Sequence, residues 1–392
     1  MKILMLHQHF NTPTTGGAIR SYYLAKALVD HGHQVAVITG GPGKETVSDV
    51  DGIEVCYLPI AYNNRFTFYA RSRAFMQYVF GVIRISQRYR HFDVAYGISV
   101  PLTVGLCTLW MKYRHRMPYV FEVGDLWPDA PIQMGFINNR IFQALLFWLE
   151  KTIYKNADSI VALSPAIREA ITKKIQGKKI DVISNMSDCD FYRLEKKNRN
   201  LEIKFQTVGR LVVSYVGAVG VANGLEYFLD CAAASKQAGL NVRFLVAGDG
   251  AMLDELKSAA SSRGLDNTHF IGFLNRTGVR DVLNVTDAVF VCYKPVPILE
   301  TGSPNKYFDG LAAGKLVITN FGGWIRREIE SHGCGIYVNP ALPDDFVQNA
   351  FPLLADEAVR TACQTKSREL AESKYSRKEI GSRFVRTFSK YG

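Results

Sequence analysis

Short runs rich in β-branched and aliphatic residues recur along the chain: KILMLH (2–7), HQVAVIT (33–39), EVCYLP (54–59), DVAYGIS (93–99), YVFEV (119–123), SIVALS (159–164) and DVISN (181–185). Segments of helical period, such as RSYYLAKALVDHG and FQALLFWLEKTIYKNA, separate most of them. Strands that alternate with crossover helices predict a parallel sheet. The rhythm breaks from Met186 to about Gln206 in the polar, charged stretch SDCDFYRLEKKNRNLEIKFQ. It resumes with LVVSYVG (211–217), RFLVAGDG (243–250), THFIGF (268–273), AVFVCYK (288–294) and LVITN (316–320). The break predicts a linker between two doubly wound α/β domains, 1–190 and 207–375. Such domains bind ligands outside the carboxyl ends of their strands, here in the cleft between them.

Composition narrows the class. The 392 residues are 47% hydrophobic, enough to fill ordinary cores, and the seven cysteines are scattered without a C-x-x-C pair. Neither a disulfide framework nor a zinc site follows, and a reducing, cytoplasmic setting fits. MKILMLHQHF is too short and too polar for a signal peptide, and no run approaches a spanning helix. His7 and His9 share a strand face, but no third ligand at a recognisable spacing supports a metal. Of the net charge of +11, +9 falls in residues 1–200, which hold 25 basic and 16 acidic residues, so the first half is expected to meet an anionic partner.

Glycine-rich junctions carry the first chemical signal. Gly16 and Gly17 lie between the first strand and the helix AIRSYYLAKAL, where a glycine pair fits either a tight turn or a backbone approach to phosphate at a helix N-terminus. Gly217 to Gly224, in YVGAVGVANGLEYFL, form a second junction, and Gly248 to Gly250 a third. Three junctions favour a nucleotide-type ligand. None is a P-loop, and none is a dinucleotide fingerprint followed by a placed acid.

The order of HQHFNTPTTGGAIRSYYLAKAL, FEVGDLWPDAPIQMGF, VISNMSD, YVGAVGVANGLE, LVAGDG, FIGFLNR and SPNKYFDGLAAGKLVITN resembles the retaining glycosyltransferases of family four, of GT-B fold. Within them it is most similar to the O-antigen and capsule branch that includes fucosamine-type transferases. The resemblance covers nearly the whole chain. It implies a nucleotide-sugar donor on the second domain, an acceptor on the first, and a final helix, about 376–392, returning to the first domain. It places Asp309 as the acid that accepts from the donor's ribose hydroxyls, early in a helix, with Lys306 one turn before it as a cation for the diphosphate. Gly217, Gly220, Asn223, Gly250, Phe273, Lys294, Ser303 and Asn305 fall in the matching donor segments, and Gly16, Gly17 and Arg20 in the first domain's loop. An arginine on a helix face is otherwise an ordinary solvated charge.

The sequence departs from the family at two places. The glutamate expected eight residues before Asp309 is Thr301, with Glu300 one residue off, and the arginine–lysine pair that many relatives use on the diphosphate is replaced by Val219 and Asn223. Asp125, after a strand of the first domain, is the expected contact to donor-sugar or acceptor hydroxyls, with Trp127 shaping that site and Glu122 a second candidate; a turn acid beside a buried tryptophan is the alternative.

The anionic partner remains to be named. Residues 62–91 mix Arg65, Arg71, Arg73, Arg84, Arg88 and Arg90 with aromatics and no acid, and Lys112, Arg114 and Arg116 follow. Arginines among aromatics fit stacked nucleic-acid bases, anionic lipid or, for half of the stretch, a buried helix. No nucleic-acid module accompanies them, and the resemblance implies an acceptor on a lipid diphosphate, so an anionic membrane surface is the expected partner of the N-terminal domain. The expected enzyme is therefore a retaining, metal-independent glycosyltransferase without a cofactor. It takes a nucleoside-diphosphate sugar, with a UDP-sugar favoured and N-acetyl-amino sugars among the candidates. The acceptor is a glycan, lipid-linked, in cell-surface polysaccharide synthesis at the inner face of the membrane. Asp125, Lys306 and Glu300 are its candidate catalytic residues. A sugar-nucleotide epimerase of the same fold and a catalytically weak donor-binding subunit are the alternatives.

Overall fold

The computed structural model describes residues 1–14, 17–62, 66–342 and 344–391. Gly16 and Arg65, both named above, lie outside them. Two units are distinguished: Met1–Ser184 with Thr301–Ser303 and the chain from Ile380, and Asn185–Glu300 with Pro304–Glu379.

The first unit is built on eight strands: β1 (Lys2–Leu6), β2 (Gln34–Gly41), β3 (Thr46–Val50), β4 (Ile53–Pro59), β5 (Val94–Ile98), β6 (Tyr119–Val123), β7 (Ser159–Ala162) and β8 (Ile180–Val182). Their order is β3-β4-β2-β1-β5-β6-β7-β8, parallel except where β3 meets β4. Helices α1 (Arg20–Asp30), α2 (Phe68–Ile85), α3 (Val104–His115), α4 (Asp129–Gln133), α5 (Arg140–Asn156) and α6 (Pro165–Lys174) connect them. Apolar runs such as YVFEV are buried along their whole length, as strands covered on both faces must be. β3 differs: TVSDV is polar and almost wholly exposed, an edge strand that hydrophobic patterning does not reveal.

The second unit has six strands, β9 (Leu211–Val216), β10 (Val242–Ala247), β11 (Thr268–Gly272), β12 (Ala288–Val291), β13 (Leu316–Thr319) and β14 (Gly335–Tyr337), in the order β11-β10-β9-β12-β13-β14. Its helices are α7 (Arg199–Lys204), α8 (Glu226–Gln237), α9 (Leu253–Ser262), α10 (Arg276–Val285), α11 (Asn305–Ala312), α12 (Gly323–His332), α13 (Phe351–Ala355) and α14 (Glu357–Leu370), and α15 (Arg377–Arg386) starts here but belongs to the first unit from Ile380 on. Phe228, Phe244 and Phe290 pack edge to face in its core.

The stretch 186–206, expected as a linker, is instead part of the second unit. Its charges have partners there: Asp188 pairs with Arg276 and Arg377, Lys197 with Asp287 at 2.5 Å, and Asn198 caps α7. Polarity here reflects ion pairing on the unit rather than a free connector. In the first unit, Phe384 and Phe388 of the C-terminal segment pack on the Tyr96 ring of β5.

Candidate functional site

Strand order reverses at β9, which has β10 on one side and β12 on the other. Crevices at such switch points are where open α/β sheets hold ligands. The backbones of the loops leaving β9 and β10 touch there. Val219 N–H donates to Asp249 O at 3.0 Å and Met252 N–H to Val219 O at 3.1 Å. A Cβ on Gly248 would fall 1.8 Å from Gly217 O, and one on Gly250 would fall 2.3 Å from Val219 O. These glycines are therefore required by the approach of the two loops to each other. Asn223 Oδ1 accepts from Gly220 N–H at 3.2 Å and fixes the turn that precedes α8.

Into this crevice α11 sends Lys306. Its Nζ donates to the Tyr215 hydroxyl at 3.0 Å and lies 4.4 Å from the centre of that ring and 5.3 Å from that of Tyr293. Its Cε would stand 3.1 Å from a Cβ on Gly217. No carboxylate among the described residues pairs with it, and burial pushes its pKa down to about 8. Two aromatic faces and a hydroxyl are weak compensation for a desolvated ammonium. Lys294, after β12, is different: it is partly exposed, and its ammonium lies 3.7 Å from Glu226.

Asp309 lies three residues on, on the same helix face as Lys306. It stands a full turn inside α11, which begins at Asn305, so the expected place in the first turn does not hold and helix-end charge is no reason for the acid. Its half-buried carboxyl has no hydrogen-bond partner among the described residues. Burial pushes its pKa up to about 7, with the Arg276 guanidinium pulling the other way. Asn305, at the head of α11, is exposed.

Glu300 meets the N-terminus of α12. Its Oε1 accepts from Gly322 N–H at 3.3 Å, and a Cβ on Gly323 would fall 2.7 Å from its carbonyl oxygen. Gly322 and Gly323 form a fourth strand–glycine–helix junction, FGGW after LVITN, which the reading of the sequence missed although its signal is of the same kind. Tyr215 and Tyr293 were also missed, because a strand aromatic reads as core.

Other candidates are not brought to this crevice. Phe273 is exposed at the end of β11, an edge strand two strands from β9. Ser303, buried, belongs to the first unit with Thr301 and Gly302. Gly17, Arg20 and Asp125 are also in the first unit. Gly17 takes a positive φ of 80°, and Asp125 is exposed after β6. Arg20 is not open to phosphate. It is buried, with Nη1 2.5 Å from Glu122, Nη2 donating to Ile183 O at 2.8 Å and Nε to Ser184 O at 3.2 Å. The Tyr96 hydroxyl donates to the same carboxylate, which places Glu122 in a structural network. Arg84 and Arg88, read as an unpaired basic surface, both pair with Glu45.

Residues 14–191 match the family described as Glycosyltransferase Family 4, and residues 210–356 the one described as Glycosyl transferases group 1. This is a glycosyltransferase built from a family 4 and a group 1 domain. Among relatives of this glycosyltransferase, an uncharacterised glycosyltransferase of Methanocaldococcus jannaschii is 23% identical over 99% of this chain and 98% of its own. The O-antigen chain mannosyltransferase C of Escherichia coli is 23% identical over 70% of this chain and 68% of its own. The Anabaena protein HepE, solved in complex with UDP-glucose, superimposes with a TM-score of 0.72 at 18% identity, with all of both chains covered. The fold of the glycosyltransferase is GT-B, with two Rossmann-like domains. None of these matches singles out the fucosamine-type branch.

Proposed function

We propose that the glycosyltransferase moves a sugar from a UDP-sugar to an acceptor hydroxyl with retention of anomeric configuration and without a divalent ion. The observation that carries this reading is Lys306, a desolvated ammonium without a carboxylate at the switch point of the second sheet. A diphosphate supplies the missing charge, and glycine-loop N–H groups add to its hold. Asp309 accepts from the ribose hydroxyls through an otherwise unpartnered carboxylate. As the bond to the sugar breaks, negative charge grows on the diphosphate, and Lys306 stabilises it where it develops. The leaving diphosphate takes the acceptor proton, so no enzymic nucleophile is needed. Glu300 holds the α12 N-terminus beside the same loops, and Asp125 binds sugar or acceptor hydroxyls on the first unit.

The O-antigen relative supports a glycan acceptor in cell-surface polysaccharide synthesis, which we take to be lipid-linked at the cytoplasmic face of the membrane. HepE supports UDP as the carrier. Thermal shifts with UDP, GDP and ADP sugars, followed by turnover with the tightest binder in EDTA and NMR assignment of the product anomer, test the reading. A retained anomer with turnover undiminished by EDTA is expected. An inverted anomer overturns the mechanism, and an epimerised donor without transfer overturns the activity.

A further inference from the structure

The outer surface of α5 is built unlike that of an ordinary solvated helix. Ile141 is 83% exposed, Leu145 55% and Trp148 63%. At 100° per residue these three fall within one narrow sector, the apolar stripe that in a globular helix faces a core. Phe136, Phe142 and Phe147 are exposed beside them. The inward side of the helix is taken by Glu150, Ile153 and Tyr154. Arg140, Lys151 and Lys155 are exposed along one edge of the stripe. The helix's one acid, Glu150, is buried and held by Lys174 at 2.7 Å, so its outward face carries cations and no carboxylate.

We propose that α5 is an interfacial docking helix, with Ile141, Leu145 and Trp148 entering the headgroup boundary of an anionic bilayer and Arg140, Lys151 and Lys155 lying over its phosphates. An apolar sector edged by cations matches such a surface in both hydrophobicity and charge. A second copy of the chain matches it poorly, since two-fold pairing sets Arg140, Lys151 and Lys155 against cations with no acid to meet them. The surface extends sideways: α5 packs on α3 and α3 on α2, and this layer exposes Tyr113 and Phe80 as well as Arg114 and Arg116. Membrane attraction therefore centres on α5 rather than on Arg84 and Arg88, which Glu45 already partners. The inference deepens the lipid-linked acceptor proposed above; it rests on that reading for its consequence and not for the binding itself.

The full chain would be sedimented with vesicles of phosphatidylcholine alone and of equal parts phosphatidylcholine and phosphatidylglycerol. Two variants accompany it, one with Ile141→Ser, Leu145→Ser and Trp148→Ser, the other with Arg140→Ser, Lys151→Ser and Lys155→Ser. Wild type is expected to bind the anionic vesicles, with affinity falling as salt rises; the apolar variant loses roughly tenfold or more, and the charge variant loses the preference for anionic lipid. Both variants keep wild-type affinity for UDP by calorimetry, which separates loss of docking from failure of the donor reading. Wild type remaining in solution with both vesicles overturns the proposal. A wild-type dimer by light scattering that the apolar variant disperses, without vesicle binding, assigns the face to a second copy instead.

Discussion

Arg20 and Lys306 are two cations beside glycine loops at strand ends, and the sequence offers both to phosphate. The folded chain treats them oppositely. Arg20 is enclosed with Glu122 and two backbone carbonyls, so its charge is matched and its donors are directed into the first unit. Lys306 is enclosed with a hydroxyl and two aromatic faces, so its charge is unmatched. A matched buried cation holds a fold together, whereas an unmatched one costs stability unless an anion arrives. Closeness to a glycine loop therefore does not identify a binding cation; the missing counter-charge does.

The contrast breaks most visibly at Arg20. Arg20→Met leaves the Glu122 carboxylate buried with only the Tyr96 hydroxyl, which should cost about 3–5 kcal/mol in urea unfolding of the chain. A variant of normal stability that has lost UDP would reverse the assignment of the two residues. Lys306→Met is next. It should weaken UDP binding roughly 10- to 100-fold, about 1.4–2.7 kcal/mol, while stability at neutral pH stays level or rises, because a desolvated charge is removed. Reduced stability with unchanged affinity would make Lys306 a second Arg20.

The difference was not legible in the sequence, because Glu122 lies 102 residues from Arg20 along the chain. What was legible were runs long enough to be buried on both faces, such as YVFEV and LVVSYV, since parallel strands under two helical layers have no polar side. The exposed strand TVSDV and the three-residue strand GIY carry too little apolar pattern to register. Charge in 186–206 suggested a linker because its partners, Arg276, Asp287 and Arg377, lie far along the chain. In α5 the opposite error threatens: Ile141, Leu145 and Trp148 have the spacing of a core stripe, and only the fold shows that they are exposed. Lys306 and Asp309 were found from a motif, yet the missing counter-charge of Lys306 emerged only from the packing.

Asp309 sharpens the comparison from the anionic side. Asp309→Asn keeps the shape and removes the charge, so transfer should fall about tenfold, roughly 1.4 kcal/mol, with the fold intact. Its raised folded pKa means that ionisation costs stability. Below the ordinary carboxylate range both states are protonated, and stability then declines as pH rises from that range to about 7. The Asn variant should lack that decline, and a wild-type unfolding profile flat across the window would remove the assignment.

The smallest effect is proton exchange on binding a UDP-sugar, whose diphosphate diester carries no titrating proton of its own in this range. Near pH 6.5 the Asp309 carboxyl is largely protonated, and ribose hydroxyls prefer the ionised acceptor, so binding should release up to about one proton. Near pH 8.5 the Lys306 amine is largely neutral, and the diphosphate should draw a proton onto it. Affinity should therefore be greatest between about 7 and 8, where both groups carry the charge that binding uses. Calorimetry of UDP-glucose binding in buffers of different ionisation enthalpy reads the proton count directly. Release should vanish in Asp309→Asn and uptake in Lys306→Met, whereas an Arg20 variant that still folds should keep both. Uptake that persists without Lys306 would place the phosphate-linked proton elsewhere and leave the two cations alike.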